Sequence, residues 1–169
     1  MKKLTKFAFA AIIGAAAMQA NATLWIFDDM LDGSQEVPPN GSPGTGVTTG
    51  SYDDITNMLM IVVVADNLTS NVTAAHIHNG EVGVAGPVMF PLTGATGSTT
   101  YNSNDMFTFD DAQEIEFLAG RVYVNIHTVE FPGGEIRGQI NPEQVPEPAT
   151  IMGILAGVAL LAARRRTKR

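Results

Sequence analysis

The chain has three histidines, and their spacing gives the clearest chemical signal. His76 and His78 stand in Thr73-Ala74-Ala75-His76-Ile77-His78-Asn79-Gly80, and His127 in Arg121-Val122-Tyr123-Val124-Asn125-Ile126-His127-Thr128. Both runs alternate polar with apolar residues. In an extended chain successive side chains point to opposite faces, so Ala75 and Ile77, or Val122, Val124 and Ile126, take one side and the histidines the other. Residues two apart on a strand lie ~6.6 Å apart on one face, near enough for two imidazoles to reach one ion. If the two strands run side by side over a common core, His76, His78 and His127 form a three-nitrogen set suited to zinc or copper. Glu130 or Glu135 is then the natural fourth or outer ligand. The competing reading has the rings hydrogen-bonded to backbone and carboxylates, fixing turns without a metal.

Other constellations are weaker. Arg137 is one of two basic residues between positions 23 and 148, and in so acidic a segment it is expected to pair with Glu36 or Glu135 as a structural ion pair. Asp28-Asp29, Asp53-Asp54 and Asp110-Asp111 offer oxygens to calcium but lack the spacing of a calcium loop, so they read as turn residues, a helix cap and solvated surface. There is no cysteine, no Gly-x-Ser-x-Gly, no phosphate-cradling glycine loop and no dinucleotide fingerprint. Enzymatic activity is therefore not expected.

The elements that must position the histidines are short strands. Leu24–Phe27, Val47–Tyr52, Met58–Ala65, the two histidine runs, Val88–Leu92 and Glu135–Ile140 read as strands separated by Gly-, Pro-, Asn- and Asp-rich turns. Met58–Ala65 is apolar throughout, which predicts a strand buried on both faces or one near the centre of the sandwich. Residues 93–105 read as loop or weak edge, with Met106 and Phe109 as further apolar anchors. One helix is predicted after Asp111, with Glu114 as its capping-box partner, Ile115 and Leu118 sharing a face and Gly120 just past its end. About seven strands and one short helix indicate an antiparallel β-sandwich or barrel.

Both ends read as processing segments. Lys2, Lys3 and Lys6 precede an apolar run over 7–18, and Ala20-Asn21-Ala22 suits signal peptidase. Residues 1–22 are thus a signal peptide, with cleavage after Ala20 or an uncleaved anchor as alternatives. The domain then occupies 23–141, and a linker over 142–148 contains Pro146-Glu147-Pro148. The segment 149–169 is an apolar run ending in Arg164-Arg165-Arg166-Thr167-Lys168-Arg169, the basic cluster of a cytoplasmic flank. Between 23 and 148 two basic residues face all seventeen Asp and Glu, a formal charge of −15. Such a surface repels phosphate backbones, so nucleic acid is excluded as a partner. With no cysteine, the exported domain must hold by core burial and a metal if one binds.

Two family resemblances follow from these residues. The Pro146-Glu147-Pro148 motif, apolar run and basic cluster resemble the PEP-CTERM sorting signal of Gram-negative bacteria. The resemblance implies cutting by an exosortase near the motif, transient membrane association through the C-terminal helix and a link to exopolysaccharide; a plain tail anchor is the alternative. Gln35-Glu36-Val37-Pro38-Pro39, Ala74-Ala75-His76-Ile77-His78, Gly86-Pro87-Val88, Tyr123–Thr128 and Phe131–Ile140 resemble the CHRD (chordin-type) domain, which implies an immunoglobulin-like β-sandwich with no established molecular activity. The histidine pattern is also similar to the copper ligands of copper-zinc superoxide dismutase, but that family's disulfide cysteines and its bridging and zinc-binding histidines are missing, so dismutase chemistry is not expected. The sequence thus predicts a non-enzymatic structural or interaction module of the cell envelope or extracellular matrix, with a copper- or zinc-binding protein or metalloenzyme as the alternative.

Overall fold

A computed structural model describes residues 23–146. The segments read as signal peptide, Glu147-Pro148 and the apolar sorting helix lie outside the described residues. Among the described residues no helix is long and apolar enough to cross a membrane.

Nine antiparallel strands form one curled sheet, in agreement with the all-β expectation. In chain order they are β1 (Leu24–Asp32), β2 (Thr45–Asp53), β3 (Met58–Asp66), β4 (Val72–Asn79), β5 (Val88–Pro91), β6 (Tyr101–Thr108), β7 (Val122–Thr128), β8 (Ile136–Ile140) and β9 (Glu143–Gln144), with helix α1 (Asp111–Leu118) between β6 and β7. The lateral order is β5-β4-β7-β8-β1-β2-β3-β6, and β9 pairs with β1. Strand β9 lies within the span read as linker. Two four-stranded halves face each other across the core, and β1 and β8 join them through the single pair Asp32↔Arg137. The sheet curls until its two edges nearly meet, with Phe90 of β5 stacked on Phe107 of β6 at 4.6 Å.

The strands follow the apolar alternation, and the exceptions are informative. Leu59, Ile61, Val63 and Ala65 of β3 are buried, but Met60 and Val64 are 48% and 40% exposed. The uninterrupted apolar run is thus buried on one face, not two, because methionine and valine also occupy its outer side. The strands buried on both faces are β7 and β8, where loops cover the outward Tyr123, Asn125, Arg137 and Gln139. The Ser- and Asn-rich stretch read as loop or weak edge supplies the edge strand β6, in which Tyr101, Ser103 and Asp105 turn inward while Met106 faces solvent.

Helix α1 closes one end of the curled sheet. Its N-cap is Asp110, whose side chain accepts from the Gln113 amide while the Gln113 side chain accepts from Asp110, one residue earlier than predicted. Gly120 follows at φ 68°, the left-handed conformation a helix-ending residue needs. Phe117 is the buried side chain, ringed by Phe27, Tyr52 and Phe109 at centroid distances of 5.9, 5.2 and 5.6 Å; Ile115 is exposed. The opposite end is sealed by Glu135, whose carboxylate accepts from Ser42 Oγ, the Thr69 amide and hydroxyl, and Thr128 Oγ1. Burial pushes this carboxyl up, but those four donors outweigh it and hold it below the usual range.

Candidate metal centre

The register of β4, β7 and β8 sets a polar grid on their outer face. Ala74 lies opposite His127, His76 opposite Asn125, and His78 opposite Tyr123; Asn125 and Tyr123 in turn lie opposite Arg137 and Gln139. Because Ala75, Ile77, Val124 and Ile126 enter the core, all three histidines emerge on the same outer face. One ring nitrogen of each lies within 4.8 Å of one from each of the others. An ion 2.0–2.1 Å from three nitrogens in a tetrahedral site sets them ~3.4 Å apart, so closure by up to ~1.4 Å, within reach of side-chain rotation, completes the site.

Two of the rings have their tautomer fixed by the backbone. A carbonyl oxygen only accepts, so His78 Nδ1 donates to Gly86 O at 3.0 Å and His127 Nδ1 donates to Pro132 O at 3.1 Å. Each Nε2 then carries a lone pair. Those two Nε2 atoms, together with His76 Nδ1, are buried and have no hydrogen-bond partner. Backbone carbonyls that orient a ring and leave its other nitrogen free are the outer support that histidine ligands ordinarily have. Burial holds all three imidazoles below their ordinary 6.5, and for His78 and His127 it outweighs the opposing carbonyl bonds; repulsion among the rings adds to it. The rings are thus kept in the neutral form that binds metal.

The expected carboxylate ligands are not there. Glu135 is sealed inside the opposite end of the core, and Glu130 is exposed, its amide donating to Ser70 Oγ. The cluster holds histidines alone.

The expected ion pair of Arg137 is not formed either. Among the described residues the one salt bridge is Arg121–Glu116, at 2.6 Å. Arg137, buried, donates instead to Val84 O and Glu81 O, both at 2.8 Å, and to Gln139 Oε1 at 3.0 Å, and its guanidinium lies 3.5 Å from the centre of the Tyr123 ring. Tyr123 also stacks on His78 at 4.9 Å with the planes 11° apart. Glu36 is buried nearby with Asn125 Nδ2 at 3.4 Å and its Oε1 without a partner. Burial pushes its carboxyl up to about 7, against weaker opposing effects from the Val37 amide, Arg137 and Asn125. A cavity of about 290 Å³ opens beside Glu36 and Arg137.

Tyr123, Asn125 and Gln139 were not legible as site residues in the sequence. The available signal was their period-2 phase with His127 and Arg137, which places them on the same outer face. The acidic pairs behave as turn and cap residues: Asp53 Oδ1 accepts from the Ile55 and Thr56 amides, Asp110 caps α1, and Asp29 accepts from Asn141.

The CHRD domain family matches residues 27–140, the span from β1 through β8. The chain belongs to the CHRD family. A PEP-CTERM protein-sorting motif matches residues 144–169, so this CHRD protein is exported and directed to the cell envelope by exosortase-type sorting machinery. No curated protein and no solved structure matches the chain.

Proposed function

We propose that this exported CHRD domain binds one zinc or copper ion through His76, His78 and His127. The observation that carries this reading is the set of three buried ring nitrogens without partners, one on each histidine, two of them fixed by backbone carbonyls on the far side of the ring. Rings that served only to fix turns would account for the bonds to Gly86 and Pro132. They would not account for three buried, unsatisfied nitrogens, each costing about 1–3 kcal/mol. Three neutral nitrogen donors suit zinc or copper and leave a fourth position open. The test is elemental analysis and zinc and copper titration of the processed protein, purified without a histidine tag. One equivalent is expected, abolished in His76→Ala and His127→Ala. Substoichiometric metal unchanged by both substitutions refutes the reading.

A second reading, a structural or interaction module of the envelope, is favoured by the outer face of the β1-β2-β3-β6 half. Ile26, Met30, Val47, Met60, Val64 and Met106 are exposed there, with Met60 directly opposite Met106. Sedimentation of the wild type and of a Met60→Glu/Met106→Glu variant tests it: association that is lost in the variant supports this reading, and a wild type that stays monomeric at high concentration counts against it.

A further inference from the structure

The segment over 80–87 that supplies the carbonyl for His78 has little apolar anchorage of its own. Val82 and Val84 are 78% and 50% exposed, so burial of its side chains does not hold it down. It is held from beneath by polar contacts. Arg137 forks to Glu81 O and Val84 O, Gln139 Nε2 donates to Gly80 O at 3.0 Å, and the Gly86 amide donates to the Tyr123 hydroxyl at 2.9 Å. The Gly86 carbonyl then receives the His78 Nδ1 proton. Gly86 itself must be glycine, since a Cβ there would run into the Asn79 carbonyl oxygen.

Arg137 is the costliest member of this arrangement. A buried guanidinium with no carboxylate partner is destabilising unless its donors are used, and here two of its bonds go to the Glu81 and Val84 carbonyls, in the stretch between the anchors at Gly80 and Gly86. Strand order puts β4 and β8 on opposite sides of β7, so His78 and Arg137 flank the Tyr123 ring from its two sides.

We propose that Arg137 is a positioning residue for the metal centre: by clamping the carbonyls of Glu81 and Val84 and bracing Tyr123, it holds Gly86 O where it fixes His78 as the Nδ1–H tautomer, with Nε2 turned toward His76 and His127. The inference rests on the metal-binding reading for its purpose, but its immediate consequence is a tautomer, which is measurable without metal. A lysine cannot replace the arginine, because one ammonium lacks the planar fork that reaches two carbonyls while lying flat on a ring.

The experiment uses the processed, metal-free protein labelled with ¹⁵N-histidine at pH 8, with long-range ¹H–¹⁵N correlation to assign each ring's tautomer, and zinc titration alongside. The wild type is expected to show Nδ1–H at both His78 and His127. In Arg137→Met, His78 shifts to a mixture of tautomers, His127 is unchanged, and zinc affinity falls about tenfold or more, the usual loss when an outer support of a metal ligand is removed. Arg137→Lys is expected to behave like Arg137→Met. Should Arg137→Met fail to fold, Tyr123→Phe, which removes only the hydroxyl that receives the Gly86 amide, is read the same way. A folded Arg137→Met, or Tyr123→Phe, in which His78 stays wholly Nδ1–H overturns the proposal, as does full restoration by lysine. A wild type that binds no zinc, with His78 still shifting in Arg137→Met, removes the metal reading and leaves the positioning role standing; zinc binding with an unmoved tautomer does the reverse.

Discussion

Replacing Glu36 by glutamine should stabilise the metal-free protein at alkaline pH and leave it nearly unchanged in mild acid. The Glu36 carboxyl is buried and pushed up to about 7 from an ordinary 4.5. Between those values the unfolded chain releases the proton while the folded protein keeps it, so wild-type stability falls as pH rises from about 4.5 to about 7 and is lowest above that. Glutamine has no such titration. At 1.36 kcal/mol per factor of ten in proton affinity the full gap is worth ~3.4 kcal/mol. The cavity beside Glu36 admits solvent that screens the charge, which brings the expected gain to about 1–2 kcal/mol at pH 8. That corresponds to a rise in Tm on the order of 5–10 °C for a domain of this size. Urea unfolding of wild type and Glu36→Gln at pH 5, 6, 7 and 8, with chelator present, reads it out. The histidine contributions cancel in the difference between the two proteins, so only the Glu36 titration remains. A difference that stays constant within ~0.3 kcal/mol across this range would refute the reasoning.

Four further outcomes are expected. Because burial keeps the three imidazoles below 6.5, zinc affinity should hold to lower pH than ordinary imidazoles would allow and fall as the rings protonate, which titrations at pH 7.5, 6 and 5 will show. Glu135→Ala leaves the Ser42, Thr69 and Thr128 donors unpaired and should cost at least ~3 kcal/mol at pH 7 by urea unfolding. Since the Glu135 carboxyl is held below 4.5 in the fold, its contribution is complete above that value and lost as pH falls through the depressed one, so Glu135→Gln should flatten the acid limb of the stability curve. Replacing Pro146-Glu147-Pro148 by three alanines should leave the protein as an unprocessed, membrane-associated precursor, visible by its size in fractionated cells.

The face carrying the histidines was legible in the sequence because period-2 alternation fixes which residues share a side, whatever the strand order. What covers that face was not. Tyr123 and Asn125 look like wet, outward residues in a half-buried strand, yet loops from distant parts of the chain bury them, and such non-local cover leaves no periodic trace. Arg137 was read through its scarcity: one of two cations among seventeen acids suggests a carboxylate partner, whereas backbone carbonyls, which satisfy it here, have no sequence signature. Met58–Ala65 misled for the opposite reason. A run without polar residues gives periodicity nothing to measure, so an exposed Met60 cannot be told from a buried Leu59. Tyr101–Asp105 was read as loop or weak edge from its Ser and Asn content, and it is an edge strand; what composition could not show is that Asp105 faces inward and accepts from the Thr93 amide at 3.2 Å.

The pairing of β9 with Trp25 and Ile26 of β1 bears on how the domain sits before it is sorted. Gln144 is fastened to the body of the fold, and the four residues of 145–148 span at most ~14 Å before the apolar run begins. The sorting segment therefore departs from the fold beside β1. The imidazoles belong to the other half of the sheet, so the exit of the sorting segment and the histidine face are carried by different strands, and removal of that segment does not have to unmask the histidines.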